Sequence, residues 1–184
     1  GWFFWRQSRP PVTVVSGASG AAPAQTAYAA AQERALVWAA DAQLLSAQNT
    51  WTMDENGRFS KFDWGFIFYS PAQNRSALIT VGNTGVSIGN PRVATTKPQP
   101  ASDTLWQIDS PDLADEILKM AKVEQMQSRE AATLTFLLNM DNMPVWTTTL
   151  FNRETGYFLR VTTDADSGAI VDIEQSTITM PSIP

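Results

Sequence analysis

The stretch VWTTTLFNRETGYFLRVTTDADSGAIVDI, residues 145–173, decides the fold. Val145 to Phe151 is β-branched and aromatic, the composition of a strand. Asn152-Arg153-Glu154-Thr155-Gly156 is a turn, after which Tyr157, Leu159 and Val161 alternate with their neighbours. Asp164-Ala165-Asp166-Ser167-Gly168 turns again, into Ala169-Ile170-Val171-Asp172-Ile173. Short strands joined by tight turns predict an antiparallel meander.

The reading extends upstream. Leu134, Phe136, Leu138 and Met140 alternate on one more strand, closed by Asp141-Asn142-Met143-Pro144. Before it, Ser110 reads as an N-cap with Pro111 at the first helical position and Asp112 and Asp115 in the first turn. Leu113, Ile117, Met120 and Ala121 supply that helix with its apolar stripe.

The first half has the same order. From Gln25, the residues Tyr28, Ala31, Ala35, Trp38 and Ala42 recur at spacings of three and four, in an alanine-rich helix. Leu45, Ala47, Trp51 and Met53 then alternate on a strand up to the turn Asp54-Glu55-Asn56-Gly57. Phe62, Trp64, Phe66 and Phe68 share one strand face; Ala77, Ile79 and Val81 form another strand, and Gly82-Asn83-Thr84-Gly85 turns into Val86-Ser87-Ile88. A shift of 82 residues brings Trp64 onto Trp146, Ile79 onto Val161 and Thr80 onto Thr162. The fold expected is α+β, with two tandem modules, each a helix on an antiparallel sheet. Residues 24–90 form the first module, 91–109 a linker carrying Pro91, Pro98 and Pro100, and 110–180 the second.

Residues 1–23 read as an anchor and tether. Trp2, Phe3, Phe4 and Trp5 followed by Arg6 have the character of the interfacial end of a membrane helix, aromatics in the belt and Arg on the water side. Five residues do not span the roughly 30 Å of a bilayer core. They belong either to a longer helix or to an aromatic arm that packs on the domain or on a partner. The segment rich in Gly, Ser, Ala and Pro that follows, ending at Pro23, is a flexible spacer.

Trp146 to Ile173 resembles the PepSY module, a helix on a small antiparallel sheet related to cystatin-like folds. The resemblance rests on Val161, the Asp164-Ala165 pair, Gly168, Ile170 and Val171, and extends over about 65 residues of the second half. The first half has Val81, Gly82, Gly85 and Val86 but lacks the Asp-Ala pair. The resemblance implies a membrane-tethered protein outside the cytoplasm in a bacterial envelope. It implies a binding, inhibitory or regulatory role rather than an enzymatic one, since members of that family are mostly of this kind.

Composition narrows the chemistry. The chain has 184 residues, 43% of them apolar, with a net charge of −5 and neither Cys nor His. These absences exclude a Ser-His-Asp triad, a cysteine nucleophile, disulfides, Cys/His zinc sites and His-ligated haem. The negative charge has the wrong sign for a nucleic-acid partner. Asp164, Asp166 and Asp172 miss the spacing of a calcium loop, with Gly168 one position early and Gln175 where a Glu belongs. The carboxylate pairs Asp54-Glu55 and Asp115-Glu116 lie in a turn and a first helical turn, not across a cleft. No metal and no cofactor are expected. Aromatic and aliphatic side chains remain as candidates. Trp106 either closes the gap between modules or stands exposed as an anchor for a partner, and Ile67 and Tyr69 face away from the core side of their strand. The partner expected is an envelope protein or a membrane complex, with the chain as its accessory subunit; regulation or inhibition of an envelope enzyme is the alternative.

Overall fold

The computed structural model describes residues 22–61, 63–126 and 129–178. Helix α1 spans Ala24–Trp38 and presents Ala24, Ala27, Ala31 and Ala35 to the core, a stripe of methyl groups that lets it lie close on the sheet. Its N-cap, Pro23, has no side-chain hydrogen-bond acceptor; the second half of the chain caps it instead. Ala24 N donates to Ser110 Oγ at 3.0 Å and Gln25 N to Asp109 Oδ1 at 3.1 Å. Helix α2, Ser110–Met120, starts one residue earlier than the sequence reading: Asp109 is the N-cap and Ser110 lies inside. Asp109 Oδ1 accepts from Ser110 N at 2.7 Å, and Leu113, Ala114 and Ile117 are buried.

Ten strands follow the chain as β1 (Gln43–Met53), β2 (Phe59–Lys61), β3 (Trp64–Ser70), β4 (Arg75–Gly82), β5 (Gly85–Ile88), β6 (Arg92–Val93), β7 (Ala132–Asn139), β8 (Val145–Asn152), β9 (Tyr157–Asp164) and β10 (Ile170–Thr177). They form one sheet in the order β10-β9-β8-β7-β1-β3-β4-β5, every pairing antiparallel, with β2 beside β1 and β6 beside β4. The strands β2 and β6 are too short to show in the hydrophobic pattern. Phe62 lies outside the described residues.

The architecture is thus α+β, but separate tandem modules are not seen. Each half contributes a helix and a meander, and the first strands of the two meanders, β1 and β7, pair from Ser46↔Asn139 to Thr52↔Thr133. The physical reason is edge protection. An unpaired β1 or β7 would leave a row of free N–H and C=O groups beside apolar side chains. The core is one cluster across this seam. Phe136 of β7 lies 4.5 Å from the Trp51 ring and 6.5 Å from the Trp146 ring; Trp64 and Trp146 meet edge to face at 6.4 Å. Residues 91–109 are accordingly part of the structure rather than a spacer: Ala101 N donates to Met140 O at 2.8 Å, and Gln107 N and Ile108 N both donate to Ala165 O.

A bulge between Leu44 and Ser46 changes the expected face of β1. Leu44 is buried in place of Leu45, and Leu45 is only half-buried. The extra residue reverses the alternation upstream of it. Both helices pack on one side of the sheet, α1 on β3, β4 and β5, and α2 on β8. The other side carries no helix among the described residues.

Candidate functional site

The three contact candidates divide. Trp106 is 4% exposed and its ring is enclosed by Tyr28 at 5.1 Å and Trp146 at 6.0 Å. Its Nε1 donates to Ile108 O at 2.7 Å, the same carbonyl that accepts from Trp146 Nε1 at 2.9 Å. It closes the gap between the two halves, so the exposed-anchor alternative does not describe it. Tyr69 is 1% exposed although it points away from the helices. Residues 92–98 cross that end of the sheet. They are tied by β6 to β4 and by Ala94 N to Asn74 O at 3.0 Å, and further on by Gln99 N to Asp141 Oδ1 at 2.7 Å. Tyr69 OH donates to Asn74 Oδ1 beneath them. A partner surface on this face therefore rests on Ile67, which is half-buried beside Ser46 and Leu78. Trp2, Phe3, Phe4, Trp5 and Arg6 lie outside the described residues.

Around Ile67 the helix-free face is built from alternate residues of several strands. Antiparallel register lines up Thr50, Thr135 and Thr149 in one row across β1, β7 and β8. Gln48, Leu137, Thr147 and Thr162 form the row beside it. The hydroxyls of Thr50 and Thr135 stand 3.5 Å apart. Threonine suits the position, since its branched carbon stiffens a pleated strand while its hydroxyl faces water. Leu78 and Leu137 are 44% and 43% exposed among these polar groups. At one end, Arg160 stacks over Phe158 at 4.9 Å and pairs with Glu174 at 3.2 Å. At the other end the crossing segment borders an open pocket of about 480 Å³ lined by Leu45, Tyr69, Arg92, Leu137 and Asp141. The Thr-x-Thr spacing at 50/52, 133/135 and 147/149 is the sequence signal for this surface, and it sits at positions opposite in phase to the buried Trp51, Leu134 and Thr148.

The carboxylates singled out in the sequence serve turns. Asp164 Oδ1 accepts from Ser167 N at 3.0 Å and Asp166 N at 2.8 Å, which holds its carboxyl below the ordinary range. Asp54 Oδ1 accepts from Asn56 N and Arg58 N across the β1–β2 turn. Asp41 bridges loops: Ser70 Oγ donates to it at 2.6 Å and Ala72 N at 2.7 Å, and these bonds lower its pKa. Among the described residues no three Asp or Glu side chains converge as a metal site, and no helix is long and apolar enough to cross a membrane. The hydroxyl rows offer hydrogen bonds and dispersion contacts to a surface laid against them. Neither a family model, nor a curated protein, nor a solved structure matches the chain.

Proposed function

We propose that this chain is a non-catalytic binding module, tethered to a membrane through Trp2, Phe3, Phe4, Trp5 and Arg6 and working outside the cytoplasm as an accessory subunit of an envelope or membrane complex. The observation that carries the reading is the helix-free face of the sheet, where Ile67, Leu78 and Leu137 stand partly open among threonine rows. A broad surface with an uncharged centre and charged ends, Arg160 and Glu174 at one and Arg92 and Asp141 at the other, suits docking on a folded partner. We also read the sheet as two PepSY-like modules fused edge to edge. In support, Trp64 pairs with Val81 and Trp146 with Thr163, so the offset between the tryptophans is also the offset between their cross-strand partners.

The test is purification of the native protein from membranes in mild detergent. The partner should co-purify with the wild type and be lost from Leu137→Glu and Leu78→Glu. Both substitutions are on exposed positions and should change stability by no more than about 0.5 kcal/mol. Deletion of residues 1–11 should leave the unfolding midpoint within a few degrees and free the protein from the membrane fraction. A deletion that instead cost about 3 kcal/mol or more would assign the aromatics to the protein's own core.

A further inference from the structure

The geometry points to a second docking site, on the helix side of the sheet: a groove between α2 and β9–β10 that receives a basic amphipathic helix from a partner protein. It lies on the opposite face from the partner surface proposed above and stands without it. The argument begins with spacing. Neighbouring strands lie about 4.8 Å apart and packed helices about 8–10 Å apart. Since α2 packs on β8, a helix laid beside it falls two strands further out, over β10. That place is vacant among the described residues.

The side chains there are those that a helix would cover. Ile170 and Ile173 pair with Thr163 and Val161, which puts them on the helix side, and they are 42% and 50% exposed. Beside them lies a groove of about 560 Å³, lined by Ile108, Met120 and Thr163 below and by Asp112, Asp115, Glu116 and one cation, Lys119, on the α2 wall. Thr163 is almost wholly buried, and its hydroxyl has no hydrogen-bond partner among the described residues. None of the three carboxylates takes part in an ion pair among the described residues, where only Arg160 and Glu174 do. An apolar floor beside a wall of three unpaired carboxylates against one lysine, acidic on balance, selects a helix with leucine-like residues on one face and Lys or Arg beside them. The charge excludes a second copy of this chain's own α2, which is acidic on the same face.

The probe is a fluorescein-labelled helical peptide as long as α2, built from leucine and lysine at the helical period. Its companions are a leucine–glutamate counterpart and a peptide alternating leucine and lysine at the strand period. Anisotropy titrations with the full chain should give at least about tenfold tighter binding of the helical lysine peptide than of either companion. Ile173→Asp, and separately Asp112→Lys with Asp115→Lys, should each weaken it about tenfold or more. Leu137→Glu on the other face should leave the affinity within about twofold, as should Asp54→Lys with Glu55→Lys, an equal charge change on a remote turn. Equal affinity for the lysine and glutamate helices, or no binding at all, overturns the proposal. Tighter binding of the alternating peptide does so in favour of strand addition at the β10 edge. An equal loss in the remote charge variant reduces the effect to net charge and also overturns it.

Discussion

Trp106→Ala is expected to lower the free energy of unfolding by about 4 kcal/mol, within the range for removing a large buried aromatic. The ring lies between Tyr28 of α1 and Trp146 of β8, so the cavity left behind opens at the meeting point of the two halves. Ile108 O would keep only the Trp146 indole as a side-chain donor. Because Tyr28 and Trp146 belong to different halves, both lose packing at once, and unfolding should remain a single transition at a lower midpoint. Trp106→Phe retains most of the ring contacts and loses the indole hydrogen bond; a cost of about 1–2 kcal/mol is expected. Urea denaturation followed by far-ultraviolet circular dichroism measures both. A loss under about 1 kcal/mol for the alanine variant would show that the side chain carries little of the junction. Two resolved transitions in the wild type would show that the halves fold as independent units.

The elements themselves were legible because burial follows local period. Trp64, Phe66 and Phe68 alternate in the sequence and lie on one buried face of β3; Leu134, Phe136 and Leu138 do the same on β7. What the period does not encode is which strand edges meet. The β1–β7 seam that turns two meanders into one sheet depends on backbone groups common to every residue. The bulge at Leu44–Ser46 is a further limit, since one inserted residue has no compositional mark and yet exchanges Leu44 for Leu45 in the core. The strand alternation places Ile67 and Tyr69 opposite in phase to Trp64, Phe66 and Phe68. The burial of Tyr69 comes from residues 92–98, distant in sequence and lacking any pattern that aims them at it. The threonine rows were visible only as Thr-x-Thr spacing; their alignment across β1, β7 and β8 needs the register. The exposure of Ile170 and Ile173 on the helix side of β10 was not legible, because a second bulge between Ile170 and Asp172 brings the two onto one face and nothing in the strand's pattern says how far α2 reaches.

Asp109→Ala is expected to cost about 3 kcal/mol, more than an ordinary cap, because one carboxylate serves two helices. Its Oδ1 accepts from Ser110 N at the start of α2 and from Gln25 N at the start of α1. Each lost cap is worth about 1–2 kcal/mol, and α1 has no side-chain cap of its own at Pro23. Asp109→Asn keeps an oxygen at the same place and should cost little. The two residues part on pH. Burial pushes the Asp109 carboxyl above its ordinary value of 3.8, against the pull of the Ser110 and Gln25 amides. A carboxyl raised on folding makes the native state bind more protons than the unfolded chain, from the unfolded pKa up to the folded one. Its contribution to stability is therefore greatest at low pH and is lost as pH rises through that window. Wild type should accordingly gain on Asp109→Asn as pH falls from neutral toward 3.8, while at neutral pH the Asn variant should match or exceed it. Asp41 and Asp164 have lowered pKa values and lose their contribution in acid, but both proteins carry them, so they cancel in the difference. Paired urea titrations across the window measure that difference directly. A gap that stays constant with pH would mean that the helix N-termini compensate the burial of the charge in full. A gap that moves in the opposite sense would mean that they overcompensate it, and that the charge itself, rather than the hydrogen-bonded oxygen, holds α1 and α2 together at their shared end.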